Sequence, residues 1–237
     1  MKKRIWELDA LRGLCILGVI VVHFVYDITV LYRIVDWTPP EAFQFVQKWG
    51  GIIFLLISGI CVTLGSHCVK RGAVVFSCGL LISAVTYGMY HFGLAGKGII
   101  IYFGILHCLG TCMLLWPFFR KSHWVSLLSL AATLIAFGFV LAELGPFDFP
   151  WLMPLGLFPK GFVSSDYFPL LPNFGFFLAG AGFGRLLYGK KETLFPNVNV
   201  QNPVLRFLGW CGRNSLWIYL LHQPILNGIC WLIMETK

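Results

Sequence analysis

The chain has 237 residues, 58% of them hydrophobic and only 12% charged, with a formal net charge of +8 and a mean hydropathy of +0.79. Soluble domains carry about 25% charged residues, so there is too little charge to cover a water-soluble enzyme, and the wealth of large apolar side chains excludes disorder. Eight cysteines are too sparse for a disulfide-stapled scaffold, and the apolar residues run continuously instead of alternating, which argues against a β-barrel. What remains is an all-α, polytopic integral membrane helical bundle, of a length that fits one domain over residues 1–237.

A bilayer core takes about 20 mostly apolar residues per helix, and seven stretches meet that need. The first is Leu11–Leu31. Its basic lead of Lys2, Lys3 and Arg4 resembles a signal peptide, but no small-residue cleavage site follows and Glu7, Asp9 and Arg12 interrupt the approach, so a retained span is expected. Phe45–Leu64, Ala73–Tyr90, Gly98–Phe119 and Val125–Leu144 come next. A gap rich in Pro, Gly and aromatics, Gly145–Pro169, leads to Leu170–Leu187, where Gly175, Gly180, Gly182 and Gly184 form a small-residue face suited to close helix packing. A second gap, Tyr188–Asn214, has room for a short interfacial helix around Pro203–Trp210 before the last span, Ser215–Met234.

Charge sets the orientation. With the N-terminus cytoplasmic, Lys2, Lys3, Arg4, Arg12, Lys70, Arg71, Arg120, Lys121, Arg185, Lys190, Lys191, Arg206 and Arg213 fall inside, 13 of the 18 basic residues. Arg33, Lys48, Lys97, Lys160 and Lys237 fall outside with seven of the ten acids, so the balance is +10 inside and −2 outside. An odd number of spans then leaves the C-terminus outside. The basic excess is explained by the membrane, and no nucleic acid is expected as a partner.

Ionisable residues inside a span cost free energy, so each is a functional hypothesis. Arg12, His23 and Asp27 share one face of the first span. Eleven residues bring His23 back over Arg12, about 16 Å deeper, and Asp27 stands one turn beyond. At a four-residue spacing a carboxylate can bond one imidazole nitrogen, set the tautomer and leave the other nitrogen as a base. The same pair also fits a purely structural role between helices, and the chemistry leaves both open.

In the last span Ser215, Tyr219 and His222 share a face, with Asn214 placed as a helix N-cap at the inner surface. His107 lies near mid-depth in the fourth span. Each histidine alone fits a packing role, but three at similar depth point to a shared polar cavity. Asp166, Tyr167 and Asn173, around Pro169 and Pro172, enter from the outer side and are candidates to touch an acceptor. Cys108 and Cys112 are four apart but lack a second ligand pair, so no metal is expected.

Leu8-Asp9-Ala10-Leu11-Arg12-Gly13, ten intervening residues and then His23 resembles the signature of transmembrane acyltransferases. The closer likeness is to a small bacterial branch similar to the catalytic domain of heparan-alpha-glucosaminide N-acetyltransferase. It rests also on Gly104–His107, on the run Asp166–Pro172, and on Gly212-Arg213-Asn214-Ser215 with Tyr219 and His222-Gln223-Pro224. The resemblance implies acetyl transfer from cytosolic acetyl-CoA, through the inner (cytoplasmic) membrane, to a sugar- or glycan-type acceptor outside. It implies function for Arg12 and His23, with His23 catalytic.

On that footing His23 is expected as general base oriented by Asp27. Arg12, Arg120, Lys121, Arg185, Arg213, Asn214 and Ser215 are expected to hold the CoA moiety. His107, Asp166, Tyr167, Asn173, Tyr219 and His222 are expected to line the acceptor side. The partners are an acyl-CoA, the acceptor and the lipid bilayer, with a homodimer as an option. Two other readings use the same residues: a proton-coupled transporter or exporter with a His/Asp relay, and a haem carrier with histidine axial ligands.

Overall fold

The computed structural model describes residues 4–147 and 149–236; Lys2, Lys3, Asp148 and Lys237, counted above in the charge balance, lie outside them. Eight helices account for the expected segments: α1 Trp6–Tyr26, α2 Glu41–Leu64, α3 Cys68–His91, α4 Ile105–Phe119, α5 Trp124–Glu143, α6 Leu170–Leu187, α7 Pro203–Arg213 and α8 Ser215–Glu235. A π-helical turn, Asp27–Leu31, extends α1. Helix is the form the composition demands, because a backbone in hydrocarbon must satisfy its own hydrogen bonds. Among the described residues, six helices are long and apolar enough to cross a membrane: α1 with its π turn, α2, α3, α5, α6 and α8. Their outward faces carry large apolar side chains such as Leu14, Leu81 and Trp217, which suit lipid and would be costly in water.

The remaining expected span, the fourth, is shorter than its sequence pattern indicated. Gly98–Phe119 is apolar throughout, yet α4 starts only at Ile105. A 3₁₀ turn over Lys97–Ile99 and an extended stretch precede it, with Phe103 paired to Tyr167 in an isolated parallel bridge. The cause is polar. The Asp166 carboxylate accepts from the Ile105 N–H at 2.9 Å and the His107 Nδ1 accepts from the Gly104 N–H at 3.2 Å, so the start of the helix is bonded in place.

The chain divides into two compact units, residues 1–54 with 191–237, and residues 55–190; α2 passes from one to the other at Phe54. In the second unit the glycines of α6 allow the close packing expected of them. A Cβ on Gly180 would fall on the Leu56 carbonyl of α2, and one on Gly175 would come within 2.6 Å of Ile135 of α5. In the first unit α7 lies against α1. A Cβ on Gly13 would fall on the Leu208 carbonyl, and one on Gly212 on the Asp9 carbonyl.

Each of those carbonyls is backbone and cannot swing aside. Gly13→Val and Gly212→Val are therefore each expected to destabilise by about 1–3 kcal/mol or more, read as a lower midpoint of thermal unfolding in detergent. Gly18→Ala, whose Cβ meets nothing within 4 Å, is expected to leave the midpoint within error or raise it.

Candidate active site

The polar groups of the first unit gather on α1 and α8. His23 Nδ1 lies 2.9 Å from the Val19 carbonyl of its own helix, and His222 Nδ1 bonds the Tyr219 carbonyl in the same way. A carbonyl oxygen only accepts, so each Nδ1 carries the proton and each Nε2 is left as a lone pair. The two rings meet edge to face with centroids 4.8 Å apart. His222 is 7% exposed and its Nε2 has no hydrogen-bond partner. The Tyr219 ring packs 5.2 Å from that of His222.

Asp27 is fully buried. The direct bond to His23 expected from the four-residue spacing is not formed. Both Asp27 carboxylate oxygens accept from Gln223 Nε2 across the helix pair, at 3.0 and 3.1 Å. Two constraints explain this. The backbone passes from α- to π-helical bonding at Asp27, with the Tyr32 N–H on the Asp27 carbonyl at 2.8 Å, and a carboxylate without water draws the nearest strong donor. Meanwhile Val19 takes over the orienting role expected of the carboxylate. The polar chain continues outward: Asn227 Nδ2 donates to the Gln223 carbonyl and Tyr32 Oη donates to Asn227 Oδ1. Gln223 Oε1, like His222 Nε2, is buried without a partner. Each unsatisfied acceptor costs about 1–3 kcal/mol, which a hydrogen-bond donor brought to it would recover.

At the opposite end of α1 a cavity of about 560 Å³ opens between α1 and α7. Arg4, Arg206 and Arg213 supply its cations, and Trp6, Phe207 and Trp210 its aromatic walls. Its acid, Asp9, pairs with Arg4 at 3.7 Å and with Arg12 at 3.8 Å, so Arg12 reaches the cavity's edge through Asp9. Trp6 Nε1 is a further buried donor without a partner. Glu7, buried beside it, accepts from the Leu194 N–H and Thr193 Oγ1, both at 2.8 Å, and so ties the 193–195 segment over the start of α1. Asn214 occupies the N-cap position of α8, but its side chain makes no cap bond there. Its Nδ2 donates to the Trp210 carbonyl at 2.9 Å, because α7 ends immediately before it with carbonyls to satisfy. Ser215 opens α8 directly after it.

The other expected site residues belong to the second unit and are engaged there. His107 is buried with both nitrogens used: Nδ1 accepts from Gly104, and Nε2 lies 3.3 Å from Ser83 Oγ, which itself donates to the Ile101 carbonyl. Asp166 caps α4, as described above. Tyr167 donates to the Met153 carbonyl at 2.7 Å, and burial pushes its phenol up from the ordinary value. Asn173 Nδ2 holds the Pro169 carbonyl at 2.8 Å where α6 begins with a break at Leu171. Arg185 donates to the Arg120 carbonyl and lies 5.8 Å over the Trp116 ring, while Arg120 and Lys121 are exposed at the end of α4.

Sequence reasoning did not single out Gln223, Trp6 or Trp210, and it placed Arg4 and Arg206 only as inner-face charges. Arg206 and Arg213 are seven residues apart, which puts them on one face of a helix, so the α7 pattern did contain that pairing. Nothing local marks Gln223 as the partner of Asp27.

A multi-pass membrane protein with a pair of δ-tethered histidines beside a buried carboxylate is the class that the fold and these groups define. Residues 4–224 match the family described as heparan-alpha-glucosaminide N-acetyltransferase, catalytic, and the chain belongs to that family. Its activity class is accordingly acyl transfer of the membrane acetyltransferase type. No match is found among curated proteins or among solved structures.

The bond from Asp166 to the start of α4 gives a direct test of the local architecture. Asp166→Ala leaves the first turn of α4 without its side-chain acceptor and is expected to cost about 1–2 kcal/mol, measured as a lower thermal midpoint, with Asp166→Asn recovering part of the loss.

Proposed function

We propose that the chain, taken as one acyltransferase-like domain over residues 1–237, moves an acetyl group from cytosolic acetyl-CoA to a hydroxyl or amine of a sugar-type acceptor at the outer side of the cytoplasmic membrane. The observation that carries this reading is the bare Nε2 of His23, set by the Val19 bond and standing beside the buried Asp27. In this reading His23 Nε2 takes the proton from the acceptor's O–H or N–H as that atom attacks the thioester carbonyl. A tetrahedral oxyanion forms, the C–S bond breaks, and the proton passes from His23 to the departing thiolate. His222 and Tyr219 border the reacting groups, and Asp27 supplies the negative charge that favours the transient imidazolium.

The donor's anionic part fits the cavity between α1 and α7. Arg4, Arg206 and Arg213 offer charge-assisted bonds to phosphates, Trp6 Nε1 offers another donor, and Trp6 and Trp210 offer faces for a purine to stack on. Arg12 contributes through its pairing with Asp9. Along α8, which begins directly after the Arg213–Asn214 junction, seven residues separate Ser215 from His222, about 11 Å of helix, a distance suited to an extended thioester arm. The positive-inside balance supports placing this cavity on the cytosolic side.

His23→Ala is expected to reduce transfer from radiolabelled acetyl-CoA by at least about 100-fold with folded protein retained; wild-type turnover in that variant would overturn the proposal. Arg206→Ala combined with Arg213→Ala is expected to raise KM for acetyl-CoA about tenfold or more with a smaller change in kcat, measured by initial rates in detergent.

A further inference from the structure

Asp27 is a buried carboxylate whose side-chain hydrogen bonds come from one residue, and that residue is not the histidine beside it. Gln223 Nε2 donates to both carboxylate oxygens. Gln223 in turn is held at its main chain, where its carbonyl accepts from Asn227 Nδ2 at 3.0 Å, and Asn227 Oδ1 accepts from Tyr32 Oη at 2.9 Å. Asp27, Gln223, Asn227 and Tyr32 are thus linked in series, the middle link passing through the Gln223 main chain.

We propose that Gln223 is a positioning residue for the acyl transfer, acting by clamping the Asp27 carboxylate in its ionised form beside His23. The inference rests on the reading of His23 as the base. Three physical points support it. An ionised carboxylate in a dry interior needs donors of good geometry, and loss of its partner destabilises it or drives it to take up a proton. The amide nitrogen stands 3.0 and 3.1 Å from the two oxygens, so one N–H shared between them centres the carboxylate on Gln223. Asp27 does not bond the imidazole directly, so its service to His23 is through charge at a fixed place, and whatever holds it in place controls that service.

The surroundings of the carboxylate are otherwise poor in charge. Among the described residues, His23 of α1, Cys230 of α8 and Tyr32 beyond the π turn are titratable groups that interact with it, and His222 packs against the ring of His23. None is a permanent cation of the kind that would hold an anion without help. The amide of Gln223 therefore carries the task, and its placement next to His222 in sequence ties the clamp to the helix that delivers the second imidazole.

The test compares Gln223→Met, Asp27→Asn and the double variant with wild type in the full-length detergent-purified protein. Methionine matches glutamine in length and cannot donate. Initial rates are taken with radiolabelled acetyl-CoA and glucosamine as the probe acceptor. Gln223→Met is expected to lower kcat at least about tenfold, to leave KM for acetyl-CoA within about twofold, and to add nothing to the loss already caused by Asp27→Asn. Additive losses, or a loss confined to KM, would overturn the assignment. A second measurement is independent of turnover: the rate at which diethyl pyrocarbonate acylates His23, followed by peptide mass spectrometry. That rate is expected to fall about fivefold or more in both single variants, and an unchanged rate in folded Gln223→Met overturns the proposal even if turnover with the probe is low. Wild-type turnover in His23→Ala, by contrast, sinks the base assignment itself. An inactive His23→Ala beside a Gln223→Met of normal kcat and normal His23 reactivity sinks only the clamp.

Discussion

The close approach of α1 and α7 organises the first unit. Gly13 and Gly212 each stand where a side chain would strike the other helix's backbone carbonyl, so the two helices can meet only because both residues lack a Cβ. Gly13 closes the Leu8–Gly13 motif and Gly212 opens the Gly212–Ser215 motif. The two segments that carry most of the family likeness are thus the two halves of one joint. From that contact follow the shared cavity of Asp9, Arg206 and Arg213, and the direction in which α8 leaves α7. A glycine in mid-helix costs about 1 kcal/mol against alanine, and that cost is offset by packing available to no other residue.

The three histidines His23, His107 and His222 separate into two kinds by what their nitrogens do. His107 is saturated: it accepts from Gly104, faces Ser83, and so fastens the start of α4. His23 and His222 are tethered on one side only, each to a carbonyl of its own helix. A tether on Nδ1 leaves the remote nitrogen basic and pointed away from the helix backbone, the condition for proton transfer to a ligand. Burial alone does not distinguish these cases, since His107 and His222 are both buried; the difference lies in the second nitrogen.

Asp27 illustrates how a low-dielectric interior selects partners. In water a carboxylate four residues from a histidine on a helix gains little from either partner. Without water it must be bonded, and an amide donating to both oxygens satisfies more of its lone pairs than one ring N–H does. The imidazole proton, released from that duty, goes to Val19. The outcome is a histidine oriented by the main chain and a carboxylate oriented by α8, two separately held groups instead of one dyad.

The amino-acid sequence by itself determined the class of fold, seven of the helical segments with most of their ends, the short helix after Pro203, the small-residue packing face of α6 and the family, because hydropathy, helical period and motif spacing are properties of neighbouring residues. It also marked His23 and Asp27, since an ionisable group in an apolar run is conspicuous whatever surrounds it. Only the tertiary structure decided who bonds whom. That Gln223 answers Asp27, that Asp166 starts α4 and shortens an apolar stretch from 98 to 104 by denying it helix, and that Arg4 and Arg206 join Arg213 around one cavity all depend on contacts between residues far apart in the chain. Such contacts are set by helix packing and by the need of every buried polar atom for a partner, and neither leaves a periodic trace in the sequence.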